Sequence, residues 1–251
     1  MLDFHGKINC FVLGTFTVIG WAINVPPSKQ QAFTFPVSQI RGKLQALGEG
    51  HPSLVDQLSD FVNTKNLPAS IPHFYERTTD YRLFASVKWR LWFKPFAFIY
   101  QWISRRIQQL NLPFNSDVEE MTGTIHLVDE NIDKREKPRV WKRTIRDKTI
   151  FVAIYSKHTS HGKTYMNIAL PLPFSTMMGI LTLKEQNGAL HLASKGAADA
   201  GVYLSIGRYT LKLPLQEHFI IEQKGDTLIA THDMTIFGLH FLHIDYTIYI
   251  K

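Results

Sequence analysis

The stretch Gly179-Ile180-Leu181-Thr182-Leu183-Lys184-Glu185-Gln186-Asn187-Gly188-Ala189-Leu190-His191-Leu192-Ala193 decides the fold. Leu181 and Leu183 alternate with polar residues on one side of Asn187-Gly188, and Leu190 and Leu192 alternate on the other. A period of two places alternate side chains on opposite faces of a strand. Asn-Gly between two such runs is the chemistry of a tight hairpin turn, whose central residues need positive φ. The segment therefore reads as two antiparallel strands, residues 179–185 and 189–193.

Working outward, the same grammar repeats. Extended runs are expected at 123–128, 139–146, 149–156 and 164–169 before this hairpin, and at 201–206, 209–213, 218–223, 227–234 and 239–250 after it. Turn residues separate them, among them Ser160-His161-Gly162-Lys163, Lys224-Gly225-Asp226 and Phe237-Gly238. Upstream, Leu54, Val55, Leu58, Phe61 and Val62 recur at helical spacing behind Ser53, which predicts a helix over 52–62. Pro68 and Pro72 break the chain, 74–87 reads as extended, and a second helix opens at Pro95 and runs to about residue 109. The fold class is α+β, mostly β: a long antiparallel meander forming a curved sheet or incomplete barrel, with two helices before it. A long meander has to curl or close to bury one face and protect its edges.

Residues 37–251 are read as one β-rich domain and 1–36 as an appendage. Residues 8–25 carry no charge and end at Pro26-Pro27, and about 18 residues is the length at which a membrane-spanning helix becomes feasible. Three readings stay open for this run: a membrane anchor, a cleaved signal, or a buried element of a cytoplasmic protein. The first makes the protein membrane-associated through its N-terminal segment.

The chain is 45% hydrophobic and 20% charged, an ordinary globular balance, with a net charge of +7. The positive charge is concentrated. Residues 82–110 hold Arg82, Lys88, Arg90, Lys94, Arg105 and Arg106 and no acidic residue, interleaved with Trp89, Trp92 and Trp102. Indole and cationic side chains together suit the interface of an anionic membrane, so Trp89, Arg90, Trp92, Lys94, Arg105 and Arg106 are candidate membrane contacts. The competing reading is a core helix whose bases snorkel into water. Nucleic acid is disfavoured, because no RNA- or DNA-binding signature accompanies the block.

In Arg139-Val140-Trp141-Lys142-Arg143-Thr144-Ile145-Arg146, strand alternation puts Arg143 on the face of Trp141 and Ile145. A guanidinium among large apolar groups needs a partner. That partner is either an internal carboxylate such as Glu185 or Glu222, or the head of an anionic ligand. Arg143, Trp141 and Trp102 are the candidate ligand-binding residues, and a lipid or small amphipathic molecule the candidate partner.

Catalysis has one foothold. His243 and Asp245 share a strand face and could orient an imidazole, but neither Gly-x-Ser-x-Gly nor His-Glu-x-x-His accompanies them. The single cysteine, Cys10, supports neither an internal disulfide nor a cysteine-based zinc cage, and no metal or other cofactor is expected.

Four short elements resemble an uncharacterised bacterial domain sometimes fused to saccharopine-dehydrogenase-like reductases. They are Trp141-Lys142-Arg143-Thr144-Ile145, the strand from Gly179 to Leu183 after Pro171-Leu172-Pro173, the turn Lys212-Leu213-Pro214-Leu215, and Ile236-Phe237-Gly238 leading to the aromatic strand at Tyr246. The resemblance covers about residues 47–251; the family has no assigned activity, so it carries no catalytic residues over. A curled or closed sheet with a mouth helix rich in aromatics and bases makes the preferred function non-catalytic binding of a lipid or amphipathic ligand at a membrane surface. A protein-interaction domain without a cavity, and a hydrolase using His243 and Asp245, are the alternatives.

Overall fold

The computed structural model describes residues 50–107, 109–128, 135–146, 148–172, 175–196, 199–207 and 209–251. The apolar run 8–25 and the linker after it lie outside them.

The described chain opens with a 3-10 turn at Leu58–Asp60, a short helix α1 (Ser70–Glu76), strand β1 (Tyr81–Trp89) and helix α2 (Lys94–Ile107). Strands β2 (Glu119–Leu127), β3 (Glu136–Ile145), β4 (Lys148–Ser160), β5 (Lys163–Leu172) and β6 (Ser175–Gln186) follow. Then come β7 (Ala189–Ala193), β8 (Gly201–Ile206), β9 (Tyr209–Lys212), β10 (Leu215–Lys224), β11 (Thr227–Ile236) and β12 (Leu239–Ile250). Each of the expected runs from residue 123 onward has a counterpart, and Asn187 and Gly188 take φ of 55° and 77° as the turn demands.

The sheet closes on itself. β1 pairs with both β2 and β12, β5 pairs with β6, and β7 pairs with both β6 and β10. All of these pairs are antiparallel and form a ring of ten strands, with the β8–β9 hairpin attached outside it along β6. Strand β6 makes this possible by its length. Its first half lies between β5 and β8, while Thr182 to Gln186 pair with β7. Closure removes the exposed edges of an open sheet, and ten strands enclose more space than the side chains of an eight-stranded barrel fill.

Both ends of the ring are stoppered. At the end holding Tyr81 and Lys224, α1 and the segment before it pack under the strands; Leu54 and Val55 N–H both donate to Tyr75 O, at 2.9 and 3.3 Å. That contact is why no helix forms over 52–62. Leu54, Val55 and Leu58 keep their helical spacing but are buried against the barrel, and Leu58 N–H donates to Glu76 Oε1 at 2.8 Å instead of to its own turn. Helix α1 forms across Pro72, which falls in its first turn, where a missing N–H costs nothing.

At the opposite end, the chain after α2 crosses the mouth. Gln109, buried, donates through Nε2 to Val152 O (2.8 Å) and Pro171 O (3.1 Å), while its Oε1 accepts from Val152 N–H at 2.8 Å. It bridges β4 and β5 where their ladder has not yet begun, since their pairing starts at Ile154 and Ala169. Helix α2 thus lies between β1 and β2 in the chain rather than before the sheet.

The main core fills the interior. A second one, including Val140, Ile154, Met178 and Ile180, lies on the outer wall of β3–β6 beneath Ala200 and Tyr203.

Candidate functional site: a chamber inside the barrel

Alternation along β3, β4, β10, β11 and β12 brings Arg143, Phe151, Glu217, His232 and Tyr246 to the same interior, where they line a cavity of about 130 Å³ with mostly apolar walls. For scale, an engineered cavity of about 150 Å³ holds benzene.

Arg143 stands on β3 between Gly123 of β2 and Phe151 of β4 in register. Its guanidinium carbon lies 4.5 Å from the Trp141 ring centroid and 4.4 Å from that of Phe151. Stacking on aromatic rings satisfies the faces of the cation and leaves its N–H edges free to donate. Gly123 makes the stack possible. A Cβ there would collide with Trp141 Nε1 and lie 3.1 Å from Lys142 O, so the indole occupies the space of the absent side chain. Arg143 Nε is buried with no hydrogen-bond partner. Neither carboxylate expected as its partner serves: Glu185 accepts from Gly188 N–H (3.0 Å), and Glu222 pairs with Lys224 (2.8 Å).

Glu217 is the carboxylate of the chamber. Burial pushes its carboxyl up to about 7. Its oxygens lie 3.5 Å from where a Cβ on Gly179 would be, an ordinary contact distance, which places the carboxylate against β6. His232 Nε2 lies 3.8 Å from Glu217 Oε2, and the imidazole stacks on Phe219 with centroids 3.6 Å apart. Burial, reinforced by the positive charge of Arg143 and by His243 and His218, pushes His232 down to about 3 and keeps it neutral. Tyr246 is pushed up to about 12 by burial, against the opposing pull of the Arg143 cation beside its hydroxyl.

Sequence reasoning finds Trp141 and Arg143 and the structure places both on the chamber wall; it misses Glu217, His232, Phe151 and Tyr246. The signal for two of them is the alternation Glu217-Phe219-Ile221 and Leu228-Ala230-His232-Met234, in which a polar residue shares the face of apolar ones. Trp102 is exposed on α2 and does not line the cavity.

His243 and Asp245 do come together, but on the outside of the barrel. His243 Nδ1 lies 2.8 Å from Asp233 Oδ1 and Nε2 lies 3.0 Å from Asp245 Oδ1. Burial lowers this imidazole, and the two carboxylates more than offset that and raise it. With each nitrogen donating to a carboxylate, neither is free to accept a proton, and the barrel wall separates the pair from Arg143. The arrangement does not assemble the hydrolytic site. Among the described residues no group of three histidine, cysteine or carboxylate side chains could hold a metal ion.

Helix α2 is turned outward. Leu91, ahead of it, is 81% exposed, and Phe98, Ile99 and Trp102 are 67%, 62% and 55% exposed. Of its described side chains, residues 94–102, only Ala97 is buried, so this part of the helix is not packed into the core. Trp92 Nε1–H donates to His240 O (2.9 Å), joining the turn before α2 to the β11–β12 tip, where Phe237 and Leu239 are also exposed. Arg90 is exposed and Lys94 half-buried beside this ridge, whereas Trp89 turns inward, donating to Pro113 O at 3.0 Å. The side chains of Arg105 and Arg106 lie outside the described residues. Among those residues no helix is long and apolar enough to cross a membrane.

Fold and chamber together define a closed antiparallel barrel that encloses a small apolar cavity holding a guanidinium that bonds the Tyr246 hydroxyl and whose Nε–H has no partner among the described residues. Over 99% of its length the chain is 40% identical to a protein of Bacillus subtilis (strain 168) named uncharacterized membrane protein YndJ. The match takes in 49% of that protein, so the chain spans about half the length of the curated relative it matches. No family model matches the chain, and no solved structure matches it.

Proposed function

We propose that the barrel is a non-catalytic receptor for an amphipathic or lipid-derived molecule, and that it works at a membrane surface. The observation that carries the reading is Arg143: a cation stacked between Trp141 and Phe151 inside an apolar cavity, with a buried Nε–H that no group among the described residues accepts. Leaving a buried donor unmade costs about 1–3 kcal/mol, so a ligand acceptor at this point recovers energy that the empty barrel forgoes. Ligand sites of this kind combine apolar walls with a few placed polar groups.

The membrane part of the proposal rests on the outward apolar ridge of α2 and the β11–β12 tip, flanked by Arg90 and Lys94. Large exposed apolar patches mark interaction surfaces, and an amphipathic helix with adjoining cations suits an anionic bilayer. The Bacillus relative, named a membrane protein, supports the same reading. The resemblance to the reductase-associated domain brings no activity to this reading.

Native mass spectrometry of protein purified from its host, followed by organic extraction, tests the proposal. A stoichiometric amphipathic molecule that leaves on denaturation is expected. Protein that carries nothing, and that takes up nothing from a total lipid extract, overturns it.

A further inference from the structure

Resting on that reading, we infer that the chamber selects a compact monocarboxylate: one carboxylate head on Arg143, and an apolar part no larger than a single ring or a short chain. Three observations carry this. The first is charge. Among the described residues Arg143 is the cation on the cavity wall, so with Glu217 protonated it balances one negative charge, and a dianionic head would leave the second charge buried without a counterion.

The second is the placement of donors. Arg143 acts electrostatically on Tyr155, Tyr246 and His232, while Glu217 acts on Tyr155 and Tyr246, so the two tyrosines sense both charges. Arg143 Nε and His232 Nε2 are both buried without hydrogen-bond partners. Below about pH 7 Glu217 keeps its proton, and in that form it offers an O–H rather than a competing charge. A carboxylate oxygen set between these groups accepts from Arg143 and from the protonated Glu217, and a planar carboxylate matches the guanidinium edge left free by the two stacked rings.

The third is size. At about 130 Å³ the space is close to that which admits benzene, and too small for a two-chain phospholipid.

Calorimetric titration of the delipidated 251-residue chain with benzoate, benzamide, phenylphosphonate and palmitate tests the inference. Benzoate is expected to bind at one site per chain. Benzamide, isosteric and neutral, is expected to bind about 10- to 100-fold more weakly, the span of a hydrogen bond to a charged group. Arg143→Gln is expected to abolish the preference for benzoate over benzamide. If that variant does not fold, the benzoate-to-benzamide ratio on the unsubstituted chain decides by itself. Equal binding of benzoate and benzamide overturns the choice of head group but leaves the apolar receptor standing. Tighter phenylphosphonate or palmitate overturns the monoanion or the size argument respectively. No binding by any of the four overturns the receptor reading together with this one.

Discussion

Glu217→Gln should change how the stability of the protein depends on pH, and in a direction fixed by the chamber. In the unfolded chain Glu217 titrates near 4.5, and inside the barrel near 7, because burial disfavours its charge. Between these values the unfolded chain has released the proton and the folded one still holds it, so stability falls as pH rises through the window. The slope is about 1.4 kcal/mol per pH unit, and about 3 kcal/mol accumulates across it. His232 works oppositely. Its ordinary value of 6.5 drops to about 3 in the fold, through burial first and then the positive charges near it. Below 6.5 the unfolded chain gains a proton that the folded one refuses, so stability falls as pH falls. From pH 4.5 to 6.5 the two contributions cancel, and glutamine at 217 uncovers the histidine. Urea unfolding at intervals from pH 4.5 to 8 should show the variant gaining on the parent by about 3 kcal/mol as pH rises from 4.5 to 7. Groups such as His243, whose pairing is common to both proteins, drop out of the difference. A difference that stays constant with pH would mean that Glu217 is not buried as described.

Gly123→Ala pushes a methyl group into the Trp141 indole, and overpacking of this kind costs about 1–3 kcal/mol. Chemical denaturation together with altered near-ultraviolet circular dichroism checks it, and unchanged spectra would contradict the stacking. On anionic vesicles, a fluorophore at position 98 (Phe98→Cys with Cys10→Ser) should brighten, because the proposed function seats this exposed position of α2 in the bilayer. The same fluorophore at exposed Thr159, at the other end of the barrel, should not. Equal responses at the two positions would remove α2 from the membrane.

Strands were readable from the sequence because alternation and turn chemistry are local. The run 189–193 coincides with β7 and 239–250 with β12. Closure was less accessible, since nothing local reveals that β6 serves two neighbours along one edge or that β5 meets β6. The segment around Leu54 shows the same limit: apolar spacing records what is buried, and burial against a barrel end mimics the face of a helix. Within the chamber, Arg143 stood out because Trp141 and Ile145 flank it on a strand with clear alternation. Glu217 lies three residues past Pro214, just outside the expected run 218–223, and its company with Phe219 and Ile221 emerges only once β10 is seen to begin at Leu215.

Methyl NMR of methionine-labelled protein tests the central claim most directly. Met166, Met177 and Met234 line the chamber, whereas Met178 packs in the outer core against the other face of β6. Adding the extracted ligand, or benzoate, should shift the first three methyl resonances and leave Met178 in place. A response confined to Met178, or none at the three chamber methyls while the ligand is bound, would contradict a receptor whose site is the barrel interior.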